Sequence, residues 1–210
     1  MASKIDICNL ALSHVGAYRI ESLTESTKEA RECNKFYDIS LNTALEDHNW
    51  SFARKRLNLA LLTDTYTGWD YAYQYPTDCI NPRFIIDDAG AYTGTSYDID
   101  EDRYIPVGKI KYEIASDSTL SNRIILTDKA QAELVYTAKV TDTNVFTYKF
   151  IEALSLKLAV YLAQPMKGDL NLKQSLAQLY GLAILTAKGT DANSDYNKTE
   201  DINSFVGARG

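Results

Sequence analysis

The chain has 210 residues, of which 45% are hydrophobic and 24% are charged, proportions that are typical of soluble globular proteins. No apolar run is long enough to cross a bilayer, and the first residues lack the pattern of a signal peptide, so we expect synthesis in the cytoplasm and no membrane contact. The net charge of −6 disfavours tight nucleic-acid binding, which normally needs a basic surface.

Two helices are predicted before residue 50. Apolar residues at positions 5, 8, 12 and 15 lie three or four residues apart, which places them on one helical face. Gly16 is expected to end this first helix. Two overlapping capping boxes, Ser22-x-x-Glu25 and Ser26-x-x-Glu29, predict the start of a longer helix that ends near residue 47.

The middle of the chain, residues 51–141, has the period of two that is typical of β-strands. The stretch 92–102 is rich in Gly, Ser, Thr, Tyr and Asp, which indicates a surface loop or a weak hairpin. The predicted strands lie near residues 53–61, 71–75, 83–87, 109–115, 123–127 and 132–140. Several short strands at this spacing predict a small antiparallel sheet or barrel.

The helical period returns at Asp142 and is interrupted at Pro165 and Gly168. Because the interruption is short, the helices before and after it are predicted to pack antiparallel. The expected buried face of the last helix consists of Leu172, Leu176, Leu179, Ala183 and Ala187.

The predicted fold class is α+β. An antiparallel four-helix bundle is expected from residues 1–50 and 142–192, with an inserted small antiparallel β-sheet or barrel domain at residues 51–141. Residues 193–210 are predicted to form an extended C-terminal tail. This tail is polar but contains Ile202, Phe205 and Val206, so it either docks on a neighbouring subunit or remains disordered.

No catalytic constellation is recognisable in the sequence. Neither of the two histidines has a Cys, Ser or Asp partner at an informative spacing, and the three cysteines form no CxxC pair. The acidic run 98–102 matches the first half of a calcium-binding loop but lacks the glycine and glutamate that the second half requires. We therefore predict no catalytic residue, no metal site and no cofactor.

Aromatic residues are the most distinctive part of the composition, with 15 tyrosines. Tyr71, Tyr73 and Tyr75 alternate along one predicted strand, with Trp69 at the same parity and Pro76 after them. Such residues either form a cross-strand cluster that packs the sheet or present a protein-binding or sugar-stacking surface. Both alternatives are consistent with the sequence.

Several sequence strings together carry a family resemblance. The most specific is Trp69-x-Tyr71-Ala72-Tyr73-Gln74-Tyr75-Pro76-x-Asp78-Cys79. The others are Asn9-Leu10-Ala11-Leu12 to Val15-Gly16, Ile20-x-Ser22-Leu23, Glu29-Ala30-Arg31, Cys33-Asn34-x-Phe36-Tyr37, His48-Asn49-Trp50-Ser51-Phe52-Ala53, Lys55-Arg56, Tyr136-x-Ala138-x-Val140-Thr141-Asp142 and Phe150-x-Glu152-Ala153-Leu154. With gaps from about residue 5 to 190, they resemble the tail tubular protein A family, the head-to-tail adaptors of short-tailed bacteriophages.

The resemblance implies a structural protein of the virion. Family members assemble as a dodecameric ring below the portal protein, bridge it to the tail nozzle (a protein similar to tail tubular protein B), and offer a docking surface for tail fibres. DNA passes through the ring without specific binding. The matched residues carry over only as interface or packing candidates, and with the apolar residues of the tail the set is Trp50, Trp69, Tyr71, Tyr73, Tyr75, Pro76, Ile202, Phe205 and Val206.

Two other functional classes are compatible with the sequence. Some tail proteins bind or cleave surface polysaccharide, so a tail-associated glycan-binding protein or a polysaccharide depolymerase is the alternative. Its candidate acids are Asp87-Asp88 and Asp100-Glu101, of which Asp100 and Glu101 are the pair to test by alanine substitution. A soluble host protein with an unrelated binding role is the third class.

Overall fold

A computed structural model describes residues 2–86, 95–98, 103–106 and 110–195. The α-helices are α1 (Lys4–His14), α2 (Lys28–Glu46), α3 (Tyr148–Lys167) and α4 (Leu170–Asp195), with short 3-10 helices at Ser51–Ala53 and Thr143–Val145. The strands are β1 (Arg54–Asn58), β2 (Tyr71–Gln74), β3 (Cys79–Ile86), β4 (Thr95–Asp98), β5 (Arg103–Pro106), β6 (Tyr112–Ser116), β7 (Arg123–Thr127) and β8 (Glu133–Ala138).

The chain divides into two compact units, and the boundary lies inside α2. One unit consists of Met1–Tyr37 and Asn144–Gly210, and the other of Asp38–Thr143. The sequence placed the domain limits near residues 50 and 142, and that division stays a prediction. None of the helices, as far as the structure describes them, is both long and apolar enough to span a membrane.

In the first unit, α1 packs against α3, and α3 packs against α4. Gly168 separates α3 from α4 with a φ of 65°, a left-handed conformation in which glycine avoids the Cβ clash of other residues. The Lys157 ammonium lies 4.6 Å from the centre of the Tyr180 ring. Because these two residues are almost equally far from Gly168 along the chain, the predicted antiparallel pairing of α3 and α4 is confirmed.

Side-chain hydrogen bonds fix the start of α2 and the connection that precedes it. The Asn9 side chain donates to the Ile20 carbonyl at 2.9 Å and accepts from the Ile20 amide at 2.8 Å, which ties this connection to α1. The Thr27 hydroxyl accepts from the Ala30 amide at 3.3 Å and caps α2. The nearer of the two capping boxes predicted in residues 22–29 therefore places the cap one residue before its position in the structure.

The prediction of an antiparallel four-helix bundle is wrong, although the α+β class agrees with the structure. Four α-helices are present in the described residues, but the helix pairs with close backbone contact are α1 with α3 and α3 with α4. α2 does not contribute its whole length to a helical unit, because it is divided after Tyr37. Helical periodicity identified the helices but could not show which of them pack together.

The second unit contains two three-stranded antiparallel sheets, with strand orders β1-β8-β3 and β2-β7-β6. β4 and β5 form a separate antiparallel pair. A core lies between the two sheets and combines Ile85, Leu134 and Tyr136 of the first sheet with Tyr73 and Ile125 of the second and with Tyr75, which follows β2. The described strands therefore form two facing sheets rather than the single small sheet or barrel that the sequence predicted.

The buried face of α4 also differs from the predicted one. Leu176, Ile184 and Ala187 are buried, whereas Leu179 is 50% exposed. The helix continues to Asp195, through the polar residues that the sequence analysis placed after its end. Leu179 was misassigned because α4 has apolar residues on every side, so its period does not define a unique buried face.

Candidate functional site

The string of residues 69–79, which carries most of the resemblance, forms β2 and the turn that enters β3. β7 pairs with one edge of β2. On the other edge, the Gln74 amide donates to the Ala60 carbonyl at 2.9 Å. Pro76 is buried, and its carbonyl accepts from the Cys79 amide at 3.0 Å, which closes the turn. Backbone groups on both edges of this strand are therefore hydrogen-bonded within the unit.

Core packing accounts for the tyrosines of this string. Tyr73 and Tyr75 are buried between the sheets, and Tyr71 packs against the same core. The Tyr73 hydroxyl donates to the Lys129 carbonyl at 2.9 Å, so the phenol of Tyr73 is satisfied although its ring is buried. The Arg123 guanidinium lies 4.0 Å from the centre of the Tyr75 ring, which is favourable cation–π geometry.

Trp69 lies with a different cluster from the tyrosines. Its ring packs against the small cluster that contains Ala72, on the opposite face of β2. The indole nitrogen donates to the Glu113 carboxylate at 2.9 Å. The parity argument fails because β2 begins only at Tyr71, and the preceding turn includes Gly68 with a φ of 91°. Alternation along a strand does not extend through such a turn.

Trp50 is fully buried near the end of α2. Its indole nitrogen donates to the Ala44 carbonyl at 2.8 Å, which satisfies one of the last carbonyls of the helix. Its ring meets the His48 ring edge to face at 4.9 Å and stacks on Phe52 at 5.9 Å. Trp50 therefore joins the end of α2 to the following 3-10 turn and presents no surface to a partner.

A polar link connects three of the resembling strings. The Lys55 ammonium contacts the Asp78 carboxylate at 2.7 Å, and the Tyr136 hydroxyl donates to the other Asp78 oxygen at 2.8 Å. Lys55 and Tyr136 lie directly opposite one another on β1 and β8. Sequence reasoning missed this link because the three residues lie far apart in the chain and become neighbours only through strand register.

The pKa values of this link are shifted by its own contacts. Burial and the hydrogen bond to Asp78 raise the pKa of Tyr136 to about 12. For Asp78, burial acts to raise the pKa, but the hydrogen bonds from Lys55 and Tyr136 together outweigh it and hold the pKa below its usual value. The hydrogen bond that Lys55 donates to Asp78 also raises the pKa of Lys55. The shifts favour a neutral phenol, an ionised carboxylate and a charged ammonium, which stabilises the fold.

One side of α4 exposes several leucines to solvent. Leu182 and Leu185 are 66% and 65% exposed, and Leu179 is half exposed. They lie on the side of the helix opposite Leu176 and Ile184, and the exposed Gly189 shares that side. We call these four residues, 179, 182, 185 and 189, the outer face of α4. Sequence reasoning missed it because it assigned Leu179 to the buried face.

The remaining predicted candidates give no site in the described residues. Asp87, Asp88, Asp100, Glu101, Ile202, Phe205 and Val206 lie outside the described residues, so their roles stay predictions. Within the part of the chain that the structure describes, no group of three or more His, Cys, Asp and Glu residues could hold a metal ion. The three cysteines are free thiols, two of them buried in the first unit.

Comparison with known proteins adds no assignment. No family model matches the chain, and no curated protein matches it. The resembling strings and the outer face of α4 are therefore the features of the chain from which a function can be inferred.

Proposed function

We propose that this chain is a structural subunit of a bacteriophage virion: a head-to-tail adaptor that assembles as a ring between the portal protein and the tail nozzle. The outer face of α4 is the observation that carries this proposal, because it supplies a surface for a neighbouring subunit. The strings that resemble tail tubular protein A are the reason why we propose a head-to-tail adaptor rather than another ring-forming protein.

The outer face of α4 has the composition of an interface rather than of a solvated helix. No Asp, Glu, Lys or Arg occurs from Gln174 to Ala187, a stretch in which the chain's average charge content of 24% would place about three. Three leucines in this stretch are at least half exposed. Contiguous exposed apolar surface of this kind marks protein–protein contacts, and depletion of charge is typical of interface cores.

The glycines of α4 support the same conclusion. A Cβ added at Gly181 or Gly189 would meet nothing within 4 Å among the described residues. The fold of the subunit therefore does not require glycine there, although glycine inside a helix costs about 1 kcal/mol relative to alanine. Close approach of another backbone is a reason to retain glycine at Gly189, which lies on the outer face of α4.

The charge of the chain suits the role that the resemblance implies. With a net charge of −6, a ring of these subunits repels the DNA backbone, so DNA passes through the channel without specific binding. The proposed partners are copies of the chain, the portal protein, the tail nozzle and tail fibres. The proposed location is the phage neck, after synthesis in the host cytoplasm.

The proposal is tested by assembly of the full-length chain. Negative-stain microscopy and mass photometry, on the chain alone and on the chain mixed with portal protein, should show rings in at least the mixed sample. Leu182→Glu places a charge on the outer face of α4 and should abolish them. Asn34→Glu adds the same charge at an exposed position of α2 and should leave ring formation intact.

Absence of rings in both samples at high protein concentration would overturn the proposal. Rings that form equally well with Leu182→Glu would show that the outer face of α4 is not the contact. Release of reducing ends from host capsule by the full-length chain would favour the depolymerase alternative instead.

A further inference from the structure

The strand β1 lies at the edge of its sheet, beside β8. Just beyond the end of β1, the Leu59 amide donates to the Ala132 carbonyl at 2.9 Å. Hydrogen-bonded pairs alternate along an antiparallel ladder, so Leu57 also bonds to β8. The backbone N–H and C=O groups of Arg56 and Asn58 therefore point away from β8, toward the open side of the sheet.

These outward backbone groups are accessible. Arg56, Leu57 and Asn58 are all exposed. Among the residues that the structure describes, no hydrogen bond is found for the outward groups of Arg56 and Asn58. An exposed edge with unpaired donors and acceptors is a template for a further strand.

The charge of β1 selects the strand that can be added. Three of its five residues are Arg54, Lys55 and Arg56, although the chain has a net charge of −6. Lys55 is neutralised by Asp78 on one face of the sheet. Arg54 and Arg56 lie on the opposite face, where β8 contributes the single acid Glu133. That face of the edge therefore carries excess positive charge.

We propose that β1 binds an extended segment of another protein, in which acidic and apolar side chains alternate, as an added strand of the sheet. The outward backbone groups of Arg56 and Asn58 supply the hydrogen bonds. Acidic side chains of the segment lie beside Arg54 and Arg56, and its apolar side chains lie on the other face, beside the exposed Leu57.

A second copy of β1 fits this edge poorly. An antiparallel pairing of two copies centred on Arg56 places the two Arg56 side chains opposite one another, and like charges in that position destabilise a sheet. The inference goes beyond the proposed ring and does not depend on it, because it concerns β1 alone.

Peptide binding to the full-length chain tests the proposal. The probe is a fluorescein-labelled peptide of alternating glutamate and valine with threonine at both ends, and fluorescence anisotropy measures its affinity. We expect saturable binding that weakens with added salt. A peptide with lysine in place of glutamate should bind at least about tenfold more weakly.

Two variants separate the backbone contribution from the charge. Asn58→Pro removes an outward N–H but no hydrogen bond to β8, so it should weaken binding about fivefold or more, whereas Asn58→Ala keeps the N–H and should bind normally. Arg56→Glu should weaken binding at least about tenfold. Arg31→Glu makes the same charge change at an exposed position of α2 and should have no effect.

Hydrogen exchange in the unmodified chain gives a result even if Asn58→Pro fails to fold. Residue-resolved NMR should show that saturating peptide slows exchange of the Arg56 and Asn58 amides about tenfold or more. The control is the Ile114 amide, which points away from β7 at the edge of the other sheet and should be unaffected.

The proposal is overturned by absence of saturable peptide binding, by equal effects of Asn58→Pro and Asn58→Ala, or by equal protection at Ile114 and Arg56. Oligothymidylate that displaces the peptide and binds Asn58→Pro normally would assign the cations to nucleic acid instead. Self-association that the peptide disrupts would assign the edge to a second copy. All of these measurements are independent of ring formation with portal protein.

Discussion

The polar link of Lys55, Asp78 and Tyr136 gives the sharpest test of the fold. Tyr136→Phe removes only the hydroxyl and leaves the buried ring in place. That hydroxyl donates to Asp78 at 2.8 Å, and Lys55 contacts the other carboxylate oxygen at 2.7 Å. The substitution therefore removes one hydrogen bond to a charged group and preserves the apolar packing of the Tyr136 ring between the two sheets.

The expected loss of stability follows from the exposure of Asp78. A hydrogen bond to a charged group contributes about 1.5–3 kcal/mol. Because the Asp78 side chain is 37% exposed, water replaces part of the lost donor, so we expect the low end of this range, about 1.5 kcal/mol. A double-mutant cycle with Asp78→Ala should give a coupling energy of about 1 kcal/mol at neutral pH. Urea denaturation followed by circular dichroism measures all four free energies of unfolding.

The pH dependence supplies an independent check. The folded pKa of Asp78 lies below its ordinary value of 3.8, so the stability from the ionised carboxylate is complete above pH 3.8 and is lost as the pH falls through the folded pKa. The pKa of Tyr136 is raised from 10.0 to about 12, so the contribution of the neutral phenol is complete below pH 10.0 and is lost as the pH rises through about 12. The coupling energy should therefore decrease at both extremes.

The control for this series is Tyr71→Phe, since the Tyr71 hydroxyl makes no hydrogen bond within the described residues. Its free energy of unfolding should change by less than about 0.5 kcal/mol. A coupling energy below about 0.3 kcal/mol at neutral pH, or one that decreases at neither pH extreme while the fold persists, would refute the reasoning.

Three further predictions concern the stability of the subunit. Trp50→Phe should lower the free energy of unfolding by about 2–3 kcal/mol, because it removes a buried hydrogen bond and ring volume; tryptophan fluorescence during urea denaturation measures this through the remaining indole. Asn9→Ala should lower the free energy of unfolding by about 2 kcal/mol, because two hydrogen bonds to the backbone are lost. Asn34→Ala on the exposed surface of α2 should cause no loss of stability in the same experiment, and equal effects would contradict the role of Asn9. Gly168→Ala should destabilise by about 1 kcal/mol and Gly181→Ala should stabilise by up to about 1 kcal/mol in thermal unfolding, because both have open space for a Cβ but only the first has a left-handed backbone.

Local sequence signals predicted the positions of most elements. β7 occupies Arg123–Thr127, the range that was predicted, because its apolar run is bounded by turn residues on both sides. Gly168 ends α3 where a residue tolerant of positive φ was expected. Pro165 was also expected to interrupt the helix, yet α3 continues to Lys167. The first-unit residue Lys28 donates to the Pro165 carbonyl, which satisfies a group in the last turn of α3.

Contacts between distant parts of the chain could not be predicted in the same way. The bundle prediction assumed that all four helices serve one core, but nothing in the period of α2 shows that the helix is divided after Tyr37. Similarly, the opposite charges of Lys55 and Asp78 are visible in the sequence, but their pairing through Tyr136 depends on the register of β1 and β8. Register is set by tertiary packing, for which a single sequence contains only indirect signals.

The outer face of α4 follows from a signal that the sequence does contain. Apolar residues lie on all sides of this helix, and α3 can cover only one of them, so at least one apolar side must face solvent or a partner. The structure selects the side with Leu176 and Ile184 for burial and leaves Leu182 and Leu185 outside. The periodicity of α4 thus failed to identify its buried face for the same reason that we propose the helix as a binding surface: it has more apolar surface than one subunit can bury. A helix that served only its own subunit would have been free to place charged residues at 182 and 185.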